Sequence, residues 1–296
     1  MKTVELTQEH IAEFIEYCKI YGPEQDESFL PDENFTPGEN DPAFVLIEDG
    51  KITGAASLIL HPEYREAKKS RFRIFHSVNK TIESYGVLLD ALLKRINGID
   101  KVYCFINENK TEVRKIWELL GLSIERYSWV FERELTDFKL PVFPEGFSLN
   151  VLREGIDEQD WCDIINICFA SMAGHTHLTP DKLRSFKTYK GDINDGMFML
   201  WDKDKPAGTM QLESETDDGK KTLFIEAVSV LPEYQGRGLG KNLIRSALEF
   251  AVKNGYEKAM LSVNAENENA SNLYLNEGFK KKELYICYHK IINKNE

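Results

Sequence analysis

Residues 228–243 read VSVLPEYQGRGLGKNL. The apolar run that opens this stretch stops at Pro232, a glycine-rich turn follows, and an apolar periodic segment begins at once. This order predicts a strand, a turn and a helix. A helix that starts directly after glycines directs its free N–H groups and the positive end of its dipole at one point, and glycine allows a ligand to approach the backbone closely. The stretch therefore predicts an anion site.

The anion is predicted to be a phosphate, because Arg237 and Lys241 add positive charge beside the turn. Two common phosphate loops do not fit. The Walker loop requires Ser or Thr after its Gly-Lys pair, and here Asn242 follows Lys241. The dinucleotide fingerprint GxGxxG also fails, because the three glycines alternate with single residues.

The pattern that fits is Q-x-x-G-x-G over residues 235–240. It resembles the acetyl-CoA loop of the GCN5-related N-acetyltransferase (GNAT) family. The resemblance continues in VNAENENASNLYLNEGF, residues 263–279, where Asn267 and Tyr274 precede a Gly-Phe pair as in the second motif of that family. Together the two motifs cover about residues 222–280.

The resemblance implies acetyl-CoA as co-substrate and no metal. It implies that backbone N–H groups of the loop hold the pyrophosphate and that Asn267 hydrogen-bonds the pantetheine. Two valines of the preceding strand would pair with the pantetheine like an added strand, which requires the neighbouring strands to separate. The cofactor-binding residues so implied are Val228, Val230, Gln235, Gly236, Arg237, Gly238, Leu239, Gly240, Lys241 and Asn267.

Tyr274 is the implied catalytic acid that protonates the departing thiolate. A phenol has a reference pKa near ~10, so it is protonated at neutral pH and can donate. On position alone, Tyr274 beside Leu273 also fits a packed aromatic residue of an amphipathic helix.

Glu226 is the second catalytic candidate, because a carboxylate in an otherwise apolar strand is costly unless it is solvated or paired. If alternation holds, it shares a strand face with Val228 and Val230. It could accept the amine proton through water, bind a cationic substrate, or be an edge carboxylate that faces solvent. His175 and His177 lack further ligands at metal spacing, so they indicate a surface loop or a contact with the acceptor.

The chain also contains an internal repeat. Residues 44–54 (FVLIEDGKITG) match residues 198–208 (FMLWDKDKPAG), and residues 97–122 match residues 254–279 without a gap. Both pairs share the order of apolar runs, loops and glycines, which indicates two copies of one α/β unit.

These copies define the predicted domains: residues 1–138 as a degenerate acetyltransferase-like domain, residues 139–146 as a linker rich in proline, and residues 147–296 as the acetyl-CoA-binding domain. The predicted fold class is α/β (α+β), with two tandem acetyltransferase-type domains, each a mixed, mainly antiparallel sheet flanked by helices.

The first copy lacks the features that the resemblance assigns to the cofactor site. Its loop after RIFHSV is shorter, carries Glu83 and retains only Gly86. Trp117 stands where the second copy has Tyr274, and an indole cannot protonate a thiolate. We therefore expect one acetyl-CoA site per chain, in the second copy.

Amino-acid composition limits the classes of binding partner and the cellular compartment that can be expected for this protein. The 296 residues are 42% hydrophobic and carry a formal net charge of −12, which argues against a nucleic-acid partner. The five scattered cysteines do not suggest a disulfide framework, and the first residues, MKTVELTQEHIAEF, do not resemble a signal peptide. We expect a cytoplasmic monomer or homodimer that does not associate with membranes.

The predicted function is an acetyl-CoA-dependent N-acetyltransferase that transfers acetyl to a primary amine of a small molecule or peptide by direct attack. The alternative is a non-catalytic acyl-CoA-binding sensor. An inert interaction module is disfavoured by the intact glycine loop.

Overall fold

A computed structural model of the chain describes residues 2–172, 175–186 and 192–292. By the contacts between its residues, the chain divides into two compact units: Met1–Tyr127 with Leu284–Glu296, and Ser128–Glu283. Among the described residues, no helix is both long enough and apolar enough to cross a membrane.

The strands, in chain order, are β1 (Lys2–Glu5), β2 (Ala43–Glu48), β3 (Lys51–Ile59), β4 (Lys69–Ser77), β5 (Lys101–Asn107), β6 (Ser123–Glu134), β7 (Phe147–Val151), β8 (Asp192–Asp202), β9 (Lys205–Asp217), β10 (Lys220–Val230), β11 (Lys258–Asn264) and β12 (Lys280–Ile291). The helices are α1 (Ile11–Tyr21), α2 (Pro62–Glu66), α3 (Ile82–Leu93), α4 (Thr111–Leu119), α5 (Glu158–Phe169), α6 (Pro180–Phe186), α7 (Leu239–Lys253) and α8 (Glu268–Asn276). The sequence also predicts a helix at residues 180–187, which corresponds to α6; residue 187 lies outside the described residues.

The first unit has the strand order β1-β2-β3-β4-β5, followed by residues 285–291 of β12. Neighbouring strands are antiparallel except β4 and β5, which are parallel. The second unit has the same pattern in β7-β8-β9-β10-β11, followed by residues 128–134 of β6, and only β10 and β11 are parallel. The prediction of two copies of one α/β unit with mixed, mainly antiparallel sheets is confirmed.

Each sheet has helices on both faces, as the burial of adjacent strand residues shows. In β2, Val45 packs in the cluster that includes α1, while Leu46 packs in the cluster that includes α3. In β8, Met199 packs with α5 and Leu200 packs with α7. Because successive strand residues point to opposite faces, the paired clusters lie on the two sides of each sheet.

The units differ from the predicted domain boundaries in their last strands. Residues 128–134 pair with β11 of the second unit, although they precede the predicted linker. Residues 285–291 pair with β5 of the first unit, although they end the second copy. The division into domains of residues 1–138 and 147–296 joined by a linker stays a prediction.

The segment predicted as a linker, residues 139–146, is bound to the second unit. The side-chain amide of Asn242, in the first turn of α7, accepts from the N–H of Val142 (3.1 Å) and donates to its carbonyl (2.7 Å). Phe143 packs against the core cluster that contains α7. These contacts hold the segment beside the helix that follows the glycine loop.

Candidate active site

The parallel strands β10 and β11 separate along their length. They pair only from Thr222–Phe224 to Lys258–Met260, and no described residue of β11 pairs with the later part of β10. On its other edge, β10 has a bulge between Glu226 and Ser229, because one extra residue there faces β9. The separation of strands that the resemblance requires is therefore present.

The bulge determines which backbone groups face the gap. The carbonyl of Ser229 lies against Gly208 of β9, and the N–H of Leu231 donates to the carbonyl of Ala207 (2.9 Å). Since alternate residues of a strand direct their backbone groups to opposite edges, Val228 and Val230 direct theirs into the gap. A linear amide-containing ligand could pair with them as an added strand.

The turn that follows β10 leaves a set of backbone donors free. Among the described residues, none accepts a hydrogen bond from the N–H groups of Gly236 to Lys241, and Asn242 is the first residue whose N–H is bonded within α7, to the carbonyl of Gly238 (3.3 Å). Gly236 and Gly238 have φ values of 77° and 75°, in the left-handed region that favours glycine. This conformation, together with the dipole of α7, suits an anion.

Gln235 differs from the rest of the loop. Its N–H already donates to the carbonyl of Pro232 (3.2 Å), and its side-chain amide donates to the carbonyl of Val230 (2.9 Å). The structure thus uses Gln235 to tie the loop to the end of β10, and its N–H is not free for a phosphate. The N–H of Val230 and both backbone groups of Val228 remain directed into the gap.

The two cations of the loop lie on its exposed surface. Arg237 donates to the carbonyl of Glu233 (3.1 Å) and lies over the ring of Tyr234. Lys241 extends beside Gly238. Both side chains are long enough to turn toward a bound anion. Gly240 instead allows close packing between α7 and α8, because a Cβ there would lie 3.4 Å from Leu273 of α8.

Helix α8 presents the second motif to the same gap. The side-chain oxygen of Asn267 accepts from the N–H of Ala270 (3.1 Å) and so caps α8. Its side-chain N–H2 makes no hydrogen bond with any described residue, so that group remains able to donate to a ligand. Arg245 and Glu277 join α7 to α8 through two hydrogen bonds of 2.8 Å.

Tyr274 is nearly buried between two aromatic rings. Its ring contacts those of Phe131 (centroids 5.8 Å apart) and Phe279 (6.2 Å). Burial raises the pKa of Tyr274 to about 12, so the phenol stays protonated at neutral pH. None of the described residues hydrogen-bonds its hydroxyl, and Tyr274 is one of the residues that line a cavity. The structure therefore permits both the packing role and the acid role.

That cavity has a volume of about 520 Å³, and its described lining residues all belong to the second unit. It runs along the gap between β10 and β11. The sequence analysis missed its opposite wall, which α5 and the residues after it provide. These wall residues are Ile165, Cys168, Phe169, Met172 and His175. The spacing of the first four follows one helical face, a signal that was available in the sequence.

Glu226 lines the cavity. The prediction that it shares a strand face with Val228 is wrong. The bulge adds one residue to β10, so Glu226 shares its face with Ser229, not with Val228. His175 also lines the cavity, while His177 is exposed nearby. Within the described parts of the chain, no cluster of three or more His, Cys, Asp or Glu side chains is placed to hold a metal ion.

In the first unit, side chains of that unit occupy the backbone groups that correspond to the gap and the glycine loop of the second unit. The N-terminus of α3 is satisfied by a capping box in which Thr81 and Ser84 bond each other's backbone or side chain. The side-chain amide of Gln25 accepts from the N–H of Phe75 (3.0 Å) and donates to the carbonyl of the same residue. Trp117 is fully buried and stacks on Phe75.

Comparison with known proteins agrees with this geometry. Residues 159–279 match the model of the acetyltransferase (GNAT) family. A mycothiol acetyltransferase of Streptomyces griseus is 26% identical over 260 residues, which cover 83% of this chain and 78% of the relative. One of Paenarthrobacter aurescens is 25% identical over 268 residues, which cover 88% of this chain and 78% of the relative.

Solved structures resemble the whole chain. A tandem GNAT protein from the clavulanic acid biosynthesis pathway has a TM-score of 0.74 at 12% identity, over 100% of this chain and 99% of that protein. A GCN5-related N-acetyltransferase from Sphaerobacter thermophilus has a TM-score of 0.69 at 18% identity, over 99% and 97%. At these identities the likeness concerns the fold.

Proposed function

We propose that this chain transfers an acetyl group from acetyl-CoA to a primary amine by direct attack, a proposal supported by the match of residues 159–279 to the model of the acetyltransferase (GNAT) family. The observation that carries the proposal is the gap between β10 and β11. The glycine loop follows the end of β10 beside this gap, its N–H groups from Gly236 to Lys241 have no acceptor among the described residues, and Tyr274 lines the cavity along the gap.

The cofactor is proposed to lie along this gap. The N–H groups from Gly236 to Lys241 would bind the pyrophosphate, and Arg237 would turn to it from the loop surface. The amides of the pantetheine would pair with the backbone of Val228 and the N–H of Val230. The free side-chain N–H2 of Asn267 is a donor in the same cavity and suits a pantetheine carbonyl. Acetyl-CoA supplies the activated thioester.

In the reaction, the amine nitrogen attacks the thioester carbonyl and forms a tetrahedral intermediate. When the carbon–sulfur bond breaks, the electron pair goes to sulfur and Tyr274 donates its proton there. The Tyr274 phenol, with a pKa of about 12, is a weaker acid than a thiol of pKa ~8.5. Proton transfer from the phenol to the thiolate is therefore unfavourable unless a second proton transfer accompanies it. The proton that the nitrogen loses balances this step, because it passes through water to the Tyr274 oxygen, either directly or by way of Glu226, and so leaves Tyr274 protonated.

One such site per chain is proposed. In the first unit, the capping box of Thr81 and Ser84 occupies donors that the second unit leaves free. Gln25 occupies the backbone of Phe75, as an amide of a pantetheine would occupy that of Val228. Trp117 fills the core in place of a tyrosine hydroxyl.

The acceptor is an amine of a small molecule or peptide. The relatives named above are mycothiol acetyltransferases, so the acceptor used by those enzymes is one member of the panel to be tested. Several primary amines and peptides complete it. The cavity wall formed by α5 is apolar apart from Cys168 and His175, which favours an acceptor with an apolar group near its amine.

Two measurements test the proposal. Acetyl-CoA at a hundredfold excess over its dissociation constant should stabilise the native state by about 2.7 kcal/mol and raise the melting temperature. ATP at the same concentration controls for general phosphate binding. A thiol-release assay with the amine panel then detects turnover. No melting shift at millimolar acetyl-CoA refutes the proposal, and a shift without turnover on any amine favours the sensor.

A further inference from the structure

A buried pair of hydroxyls, of Thr209 and Ser229, lies at the bulge of β10. Thr209 of β9 is fully buried, and its hydroxyl donates to the carbonyl of Ala227 (2.8 Å). The hydroxyl oxygen of Ser229 lies 2.5 Å from that of Thr209. Thr209 therefore contacts both sides of the bulge. Ala227 lies within the bulge, and Ser229 is the residue at which regular pairing with β9 resumes.

Ala227 needs such a contact, because its φ is 49°. This is the left-handed region, which costs a residue with a Cβ free energy and persists only where the surroundings enforce it. The Ala227 carbonyl is directed at β9, and the Thr209 hydroxyl is the donor that satisfies it. The strained residue directly precedes Val228, whose backbone faces the gap.

The protons of this pair have one consistent arrangement. Thr209 has a single hydroxyl proton, which it donates to Ala227, so Ser229 must donate to Thr209. On the far side of Ser229, the Cys168 thiol of α5 donates to the carbonyl of Val230 (3.5 Å). Burial raises the pKa of this thiol, so it remains protonated and able to donate. Both ends of the bulged segment are thus held by side chains.

From these contacts we infer that Thr209, with Ser229, is a positioning residue for the acyl-transfer site: its hydroxyl holds Ala227 in the left-handed conformation that directs Val228 into the gap. The inference rests on the proposed function, since it assigns the task of this hydroxyl within the acetyl-CoA site. Thr209 touches neither cofactor nor acceptor and acts through the backbone of Ala227.

Loss of the Thr209 hydroxyl should therefore weaken the binding of acetyl-CoA while the protein still folds. In Thr209→Val the shape is kept, but the Ala227 carbonyl loses its donor and Ser229 loses its acceptor. The bulge then relaxes, and Val228 no longer presents its N–H and carbonyl in the positions that a pantetheine requires. We expect the dissociation constant for acetyl-CoA to rise about tenfold. Thr209→Ser keeps the hydroxyl and should stay within about twofold of the wild type.

The chain offers a matched control in the same sheet. Thr222 of β10 is also fully buried, and its hydroxyl donates to a backbone carbonyl, that of Lys220 (3.1 Å). It lies where β10 still pairs with β11. Thr222→Val should lower the melting temperature of the free protein less than Thr209→Val, because it removes one hydroxyl hydrogen bond whereas Thr209→Val removes two. Its affinity for acetyl-CoA should be that of the wild type.

A second change tests the strain directly. Glycine adopts a positive φ without the cost that alanine bears, so Ala227→Gly should make the hydroxyl dispensable. In the double variant Thr209→Val/Ala227→Gly, we expect affinity to return to within about threefold of the wild type. This variant also carries the test if Thr209→Val alone does not fold.

Calorimetric titration with acetyl-CoA, in the absence of an acceptor, measures the dissociation constant of each of these variants. The inference is supported by weak binding in Thr209→Val, normal binding in Thr222→Val and recovery on adding Ala227→Gly. It is overturned if Thr209→Val binds like the wild type, if Thr222→Val weakens binding equally, or if glycine at 227 gives no recovery. A wild type that does not bind acetyl-CoA overturns the proposed function as well, whereas the other outcomes leave that function standing.

Discussion

Gly238→Ala tests whether the glycine loop binds phosphate or only turns the chain. Gly238 is the N-cap of α7 and has a φ of 75°. An alanine there costs roughly 1–2 kcal/mol, because its Cβ crowds the backbone in this conformation. The new Cβ would also lie 2.9 Å from Cε of Lys241. That contact adds little, since it involves the flexible end of an exposed side chain that can swing away.

Gly219→Ala is the matched control, because it imposes the same strain far from the loop. Gly219 lies in the turn between β9 and β10, has a φ of 74°, and has no atom within 4 Å of its would-be Cβ. For a unit of this size, either substitution should lower the melting temperature of the free protein by about 2–8 °C. The two variants therefore differ only in what lies next to the substituted glycine.

Ligand binding should separate them. If relaxation of Gly238 turns the loop N–H groups away from one point, the dissociation constant for acetyl-CoA should rise at least tenfold. At a concentration a hundredfold above the wild-type constant, stabilisation then falls from about 2.7 to about 1.4 kcal/mol. Gly219→Ala should keep the full value.

The assay is a thermal melt of each protein with and without acetyl-CoA, followed by calorimetric titration. The quantity compared is the rise in melting temperature that the ligand causes. Equal rises in Gly238→Ala and the wild type would refute the assignment of the loop to phosphate. Equal losses in both variants would attribute the effect to instability.

Three further predictions concern Tyr274, the number of sites and acid stability. Tyr274→Phe should reduce thiol release ~10²–10⁴-fold and leave acetyl-CoA affinity nearly unchanged, because the contacts with Phe131 and Phe279 remain; unchanged turnover would leave Tyr274 a packing residue. Calorimetry should give one acetyl-CoA per chain, unaltered by Glu83→Ala, and two equivalent sites would contradict the closed first unit. Burial lowers the pKa of His76 to about 4, so its contribution to stability is complete above pH ~6.5 and is lost as the pH falls toward 4. Melting temperatures of His76→Gln should fall less than those of the wild type over this range, and parallel curves would contradict this.

The sequence by itself was sufficient for features that depend on neighbouring residues. The strand, loop and helix of residues 228–243 follow from apolar periodicity and from glycines, and the structure has β10, the turn and α7 there. Helix α8, with Asn267 before it and Tyr274 within it, follows for the same reason. The repeat of one α/β unit was visible because both copies keep the same order of apolar runs. The first two features are each encoded in fewer than about 30 consecutive residues, the scale on which local propensity acts. The repeat was read from the common order of such short segments in the two halves of the chain.

Only the tertiary structure decided which strand completes each sheet and how β10 is bent. Residues 128–134 and 285–291 form strands whose partners depend on pairing across many residues, so no local pattern specifies which sheet edge each of them joins. The bulge at Ala227 reversed the face assigned to Glu226, because one extra residue shifts the period of two. The roles of Thr209, Gln25 and the wall of α5 likewise depend on the folded chain, because each contacts a backbone or a cavity that is distant in sequence. Register and long-range contact have no local signature, so they appear only when the chain is folded.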